Sequence, residues 1–320
     1  MTLAFVASAL LVAPAMALAC APVGGRDTPV RIDAEEAIIV WDAAAKTQHF
    51  IRRASFTTKA KDFGFLVPTP TRPELAEADD GAFEYLAGIV QRPVRIASAP
   101  AARGDVKVLE TRKVAGFDAA VLEATAPDAL DRWLKRNGYP SSPALLEWYR
   151  PYVEGRWIVT AFKIARQGVE MISPAAVRMS FQTERPFFPY SEPKGEVGKE
   201  RLLRVSILAE ARYGASDGWA GKTVFAGRLD GNERDRLLAR LRLANAGQGT
   251  LWVTEFEDRS DSRAGAPDVH FMRAGDQSTL LRTGTATSGA TFLVWLIGAV
   301  AVFAIIAVLL LRTLRKKARG

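Results

Sequence analysis

Hydrophobic and polar positions alternate along several stretches of the chain in the manner of β-strands. Residues 47–56, TQHFIRRASF, place Phe50, Ala54 and Phe56 on one face, and an apolar run at residues 38–41 precedes them across a short loop. The run at residues 63–67 is expected to end at Pro68, because proline cannot donate to a β-ladder. Further strand-like patterns occupy residues 106–124, 157–164, 176–182, 202–209 and 251–257.

Helical patterns lie between these strands. The clearest one, PDALDRWLKR at residues 127–136, begins with proline and acids, ends with bases, and is followed by Gly138. Ser142 and Pro143 predict the start of a second helix, and residues 81–90 and 232–242 also have helical spacing. Pro73 is expected to open another helix, so that the prolines of PTPTRP form a connector between strand and helix. Strands and helices in this irregular order predict an α+β fold, with a mixed or antiparallel sheet and several short helices.

The N-terminal end is apolar and resembles a secretion signal. Residues 1–19 end in Ala-Leu-Ala, a small-x-small cleavage pattern, although no Lys or Arg precedes the apolar core. We therefore predict a signal peptide at residues 1–19, and the missing basic residues indicate either a start codon assigned a few codons late or a weak signal. Cys20, the only cysteine, excludes an intramolecular disulfide and leaves lipidation after cleavage open.

The C-terminal end predicts a membrane anchor. Residues 292–311 are uncharged and apolar, and at about 1.5 Å per residue a helix of this length crosses the hydrocarbon core. The basic tail at residues 312–320 is expected to stay in the cytoplasm. The predicted protein is therefore a single-pass membrane protein, with an extracytoplasmic (periplasmic) domain at residues 20–274 and a flexible tether at residues 275–291.

The net charge gives little support to nucleic-acid binding once this topology is considered. The whole chain carries +8, but the tail alone contributes five cations, which leaves about +3 for the outer domain. The basic balance therefore reflects membrane topology, and no nucleic-acid partner is expected.

Two short motifs suggest catalysis. Asp62-Phe63-Gly64 matches a kinase triplet, but the accompanying glycine-rich loop, lysine and His-Arg-Asp loop do not precede it. The stretch GASDG around Ser216 matches G-x-S-x-G, and His270 follows with Asp268 (or Asp258 or Asp261) between them, in the order of an α/β-hydrolase triad. A glycine-rich loop explains the second motif equally well, because no helical pattern follows it.

Metal and cofactor sites have little support in the sequence. Two histidines and one cysteine form no clustered zinc ligand set, so no metal and no cofactor are predicted. The acidic stretch at residues 255–268 could bind calcium through its oxygens, but it lacks the D-x-D-x-D-G spacing, and its arginines would compete with a cation. We predict a solvated loop there.

Several stretches together resemble a known family. These are IIVWD with TQHFI (residues 38–51), DFGFLVPTPTRPEL, LDRWLKRNGY with YVEGRWIV, RMSFQTERPFFPYSEP and LWVTEF. They resemble the bacterial envelope family catalogued as domain of unknown function 2330. The resemblance implies a signal segment, an outer domain and often a C-terminal anchor, and it carries no catalytic residue.

The sequence leaves three functions open. The first is a non-enzymatic envelope protein that binds a partner or ligand through its outer domain. The second is an extracytoplasmic serine hydrolase using Ser216 and His270. The third is an accessory subunit that joins a membrane complex through residues 292–311.

Overall fold

A computed structural model describes residues 21–23, 30–58, 62–91, 111–165, 171–172, 174–194, 201–243, 249–261 and 263–282. The chain divides into two compact units, residues 1–281 and residues 282–320. Nearly all of the described residues belong to the first unit. The described helices are α1 (Gly81–Ile89), α2 (Pro127–Arg136), α3 (Pro143–Glu154) and α4 (Gly231–Arg240). The described strands are β1 (Ala21–Val23), β2 (Val30–Asp42), β3 (Thr47–Thr58), β4 (Asp62–Thr69), β5 (Glu74–Glu77), β6 (Thr111–Val114), β7 (Phe117–Glu123), β8 (Ile158–Ala165), β9 (Met171–Ile172), β10 (Val177–Gln182), β11 (Phe187–Phe188), β12 (Leu202–Ala209), β13 (Tyr213–Ala215), β14 (Lys222–Leu229), β15 (Leu251–Asp258) and β16 (Val269–Arg273).

These strands form three sheets. The largest has the order β14-β15-β12-β2-β3-β10-β5 with β9 beside β3, and it is mixed because β12 and β2 run parallel. A five-stranded antiparallel sheet has the order β1-β4-β8-β7-β6, and a small sheet has the order β11-β16-β13. The predicted α+β class with a mixed sheet is therefore confirmed.

The layers follow from which faces of the sheets are apolar. The large and five-stranded sheets pack face to face around aromatic residues, where the Phe56 and Phe65 rings stack at 6.0 Å between centroids. Helices α1 and α4 cover the outer face of the large sheet, and α2 and α3 cover the outer face of the five-stranded sheet. Each sheet thus buries both faces of its central strands, as layered domains require.

Two predictions about the proline-rich connector are wrong. Strand β4 continues through Pro68, which pairs with Val159 of β8. The described pairing of β1 stops at Leu66, so among the described residues Pro68 has a strand on one side only, where a missing donor is tolerated. The helix expected from Pro73 is instead strand β5, because Leu75 is buried opposite Met179 of β10.

The predicted signal peptide and the predicted span at residues 292–311 lie outside the described residues. No helix in the described part of the chain is long and apolar enough to cross a membrane. Where the predicted tether begins, the chain is bonded to the domain: Ala226 of β14 and Leu280 exchange two backbone hydrogen bonds of 2.8 Å each. Arg212 also donates to Asp276 at 2.7 Å.

Candidate functional site

A cleft of about 490 Å³ lies between helix α3 and two irregular segments, one after β11 and one before β16. Its volume falls within the range of about 300–1,000 Å³ that small-molecule sites occupy. Its lining combines apolar surface with charges of both signs. The lining residues are Ala144, Glu147, Trp148, Arg150, Pro151, Glu192, Lys194, Ala264 and Gly265.

Helix α3 forms one wall, and its start is fixed by local sequence. The Ser142 hydroxyl accepts a hydrogen bond from the Leu145 backbone N–H at 3.1 Å, as predicted, and Pro143 occupies the first turn. Trp148 is buried and anchors the helix, and Pro151 lies within it. Because Pro151 has no N–H, the Glu147 carbonyl lacks its usual helical donor.

The opposite wall consists of two segments that pair with each other. The Glu192 N–H donates to the Arg263 carbonyl at 3.1 Å, and the Gly265 N–H donates to the Glu192 carbonyl at 3.3 Å. Gly265 has a φ of +71°, a conformation that favours glycine, and a Cβ there would lie 3.8 Å from the Lys194 Cε. The Lys194 side chain therefore extends over this turn at the rim of the cleft.

A network of buried charges supports this second wall. Arg263 is 2% exposed and lies 3.3 Å from both the Glu35 and Asp258 carboxylates. Glu35 also accepts from Arg52 Nε at 2.6 Å, and the Tyr190 hydroxyl donates to Asp258 at 2.8 Å. Buried charges are tolerated only when paired, so these contacts hold the wall to strands β2, β3 and β15.

The pKa of Glu35 reflects this pairing. Burial would raise it, but the charges of Arg52, Arg263 and Arg201 together lower the pKa below its ordinary value. Glu35 is therefore a carboxylate at neutral pH, and the buried arginines depend on its charge.

Asp268 joins the two walls. Its carboxylate accepts hydrogen bonds from the Tyr152 hydroxyl of α3 at 3.2 Å and from the Tyr190 backbone N–H at 3.0 Å. The predicted triad acid is thus buried, and its hydrogen bonds position α3 against the segment after β11.

Ser216 and His270 lie side by side where β13 meets β16. The Ser216 N–H donates to the His270 carbonyl at 2.7 Å, and the Ser216 hydroxyl accepts from the His270 backbone N–H at 3.3 Å. His270 Nδ1 is buried without a hydrogen-bond partner among the described residues, and burial followed by the Arg185 charge lowers the pKa of His270 to about 4. Strand β14 rather than a helix follows Ser216, so the nucleophile elbow does not form. The catalytic role of the pair stays a prediction.

A second serine–histidine contact was not predicted from the sequence. His49 Nδ1 and the Ser180 hydroxyl are 2.8 Å apart on neighbouring strands β3 and β10. Ser180 lies in a strand paired on both sides, so the nearby backbone amides are committed to the sheet rather than to an oxyanion. The contact fits a cross-strand hydrogen bond.

The prediction of a solvated loop at residues 255–268 holds only in part: Arg259, Asp261, Gly265 and Pro267 are exposed in a loop, but most of the charged residues around them are buried. Glu255 and Asp258 are 0% and 2% exposed at the end of β15, and Arg263 and Asp268 are equally deep in the protein. The only signal in the sequence was the presence of arginine among the acids. Among the described residues, no group of three or more His, Cys, Asp or Glu side chains is placed to hold a metal ion.

Comparisons with known proteins give one family and one solved structure. The model of a family described as "Uncharacterized protein conserved in bacteria (DUF2330)" matches residues 14–272. A comparison with curated proteins finds no match. Among solved structures, the chain is similar to the crystal structure of baculovirus P35, with 7% identity and a TM-score of 0.42 over 78% of this chain and 98% of the viral one.

Proposed function

The chain belongs to the bacterial family DUF2330, and on that premise we propose that it is a ligand-binding or accessory module of the cell envelope. The outer domain is held on the extracytoplasmic side of the membrane by a single C-terminal helix. Support for this placement comes from the signal-like residues 1–19 and from the apolar residues 292–311 with their basic tail.

One observation carries the binding role: the lining of the cleft is suited to recognition, and buried ion pairs and hydrogen bonds hold its walls in place. Trp148 and Pro151 provide apolar surface, and Glu147, Arg150 and Lys194 provide exposed charges. Binding sites commonly combine apolar surface with a few polar groups in this way. The ion pairs of Arg263 and the Tyr152–Asp268 hydrogen bond fix the two walls, which lowers the entropic cost of binding.

Site-specific photocrosslinking in intact cells tests the role. A photoreactive residue replaces Lys194 at the rim of the cleft, and in a matched strain it replaces Lys113. Lys113 is also exposed, but it lies on β6, outside the cleft lining. Mass spectrometry of the purified full-length chain is expected to show a specific adduct at position 194 and none at position 113. The same adducts at both positions, or no adduct at either, would contradict a ligand-binding cleft.

A further inference from the structure

Two arginines next to the cleft have buried nitrogen atoms that lack an acceptor. Within the described residues, Arg201 Nε and Arg263 Nη2 are buried and have no hydrogen-bond partner. A buried guanidinium N–H without an acceptor is costly, and such atoms are rare in native proteins unless an ion, a water or a ligand completes them. The two atoms therefore indicate a place where an additional acceptor would be stabilised.

Glu192 connects these arginines with the cleft. Among the described residues of the cleft lining it is the one charged residue that is buried, at 6% exposure, and its carboxylate contacts the Arg201 guanidinium. Its backbone N–H donates to the carbonyl of Arg263. A ligand in the cleft would thus meet the Glu192 carboxylate first and the Arg201 guanidinium directly behind it.

The guanidinium groups of Arg52, Arg201 and Arg263 lie among the carboxylates of Glu35, Glu192 and Asp258, and each arginine is close to at least one other arginine. Burial, followed by the positive charge of Arg263, lowers the pKa of Arg201 to about 10. The two guanidinium groups are therefore close enough to repel each other; the Glu35 carboxylate offsets part of this repulsion, and Arg52 adds to it. Lys194 and Arg150 place further cations at the rim, where they would attract an anion as it approaches.

We propose that the cleft recognises an oxyanion, a carboxylate or a phosphate, carried on a small apolar body. The oxyanion replaces Glu192 on Arg201 and accepts from the open donor of Arg263, while the apolar body packs against Trp148 and Pro151. Arginine suits this role because its planar fork binds carboxylate and phosphate oxygens in pairs. The inference rests on the proposed binding role and adds the chemical class of the ligand.

Three aromatic probes test this on the purified full-length chain by ligand-observed NMR titration. Benzoate and phenyl phosphate carry the two oxyanions on one ring, and benzyl alcohol carries the ring without a charge. We expect at least one of the oxyanions to bind ten times more tightly than benzyl alcohol, and the stronger one identifies carboxylate or phosphate. Equal affinity for all three probes would overturn the oxyanion assignment.

Four variants locate the site. Glu192→Gln removes the competing carboxylate and is expected to tighten oxyanion binding several-fold, a result that a purely structural role for Glu192 would not give. Lys194→Gln is expected to weaken binding about threefold and Arg201→Lys at least tenfold, whereas the control Lys113→Gln has no effect. If Arg201→Lys does not fold, the Glu192→Gln and Lys194→Gln variants still decide. Unchanged oxyanion affinity in both Glu192→Gln and Lys194→Gln overturns the inference.

Separate outcomes test the binding role of the cleft and the chemical class of its ligand. Specific crosslinks at position 194 without any preference for oxyanion probes would support the binding cleft and contradict only the proposal that its ligand is an oxyanion. Oxyanion binding in vitro without a crosslink in cells would contradict the proposed function instead.

Discussion

Arg263→Met tests whether the buried charges hold the cleft wall. The arginine is 2% exposed and neutralises Glu35 and Asp258, which are 3% and 2% exposed. Methionine fills the space of the aliphatic stem and removes the charge. Since removing one partner of a buried ion pair leaves an uncompensated charge, we expect a loss of about 3–5 kcal/mol in the free energy of unfolding.

The chain offers a matched control. Arg132 forms an ion pair with Asp128 on α2, but the two side chains are 61% and 63% exposed. Arg132→Met is expected to cost less than about 0.5 kcal/mol, because exposed pairs within a helix contribute little. Both variants replace arginine with methionine, so they differ in how deeply the lost ion pair is buried.

Thermal unfolding of the full-length protein, followed by tryptophan fluorescence, measures the difference. At about 2–4 °C per kcal/mol for a domain of this size, Arg263→Met should lower Tm by about 6–20 °C. Adding Asp258→Asn removes one of the stranded carboxylates and should recover part of the loss. A Tm for Arg263→Met within about 2 °C of that for Arg132→Met would refute the reasoning.

Three further predictions concern His270, Ser216 and the membrane topology. Because the folded-state pKa of His270 is lowered to about 4, the contribution of the neutral imidazole to stability is present above pH 6.5 and is lost as the pH falls towards 4. His270→Gln should therefore flatten the pH dependence of Tm between these pH values. An unchanged slope of Tm against pH would contradict the lowered pKa. Ser216→Ala should leave ester hydrolysis by the purified chain unchanged, because the Ser216 hydroxyl is bonded to a backbone N–H; a large loss of hydrolysis would instead establish the serine hydrolase. A reporter fused after Gly320 should be active only in the cytoplasm, and activity only outside it would reverse the proposed topology.

The elements that the sequence predicted well are those with local signals. Helix α2 runs over residues 127–136 as expected, and Ser142 caps α3, because caps, terminal charges and periodicity act within a few residues. Strand β12 also matches its apolar pattern at residues 202–209.

The elements that the sequence mispredicted depend on distant partners. Pro73 suggested a helix start, but pairing with β10, about 100 residues further along the chain, makes the next residues a strand. Strands β14 and β16 were not predicted, because glycines and charges interrupt their patterns. In each case tertiary pairing outweighed local preference.

The cleft could not be predicted for the same reason. Glu35 and Arg263 are 228 positions apart, and in the sequence each looks like an ordinary surface charge. Only folding brings them within 3.3 Å and buries both. The sequence did identify Asp268 as a residue of interest, but for catalysis, whereas its observed contacts join the walls of the cleft.

The reactivity of the Lys194 amine in the native envelope tests the central claim most directly. Intact cells and the purified full-length chain are treated with the same acetylating reagent, and acetylation of Lys194 and of the control Lys113 is quantified by mass spectrometry. Both lysines are exposed, so they should react alike in the purified chain. If a ligand occupies the cleft, Lys194 is protected in cells and Lys113 is not. Equal acetylation of Lys194 in cells and in the purified chain, relative to Lys113, would contradict the account.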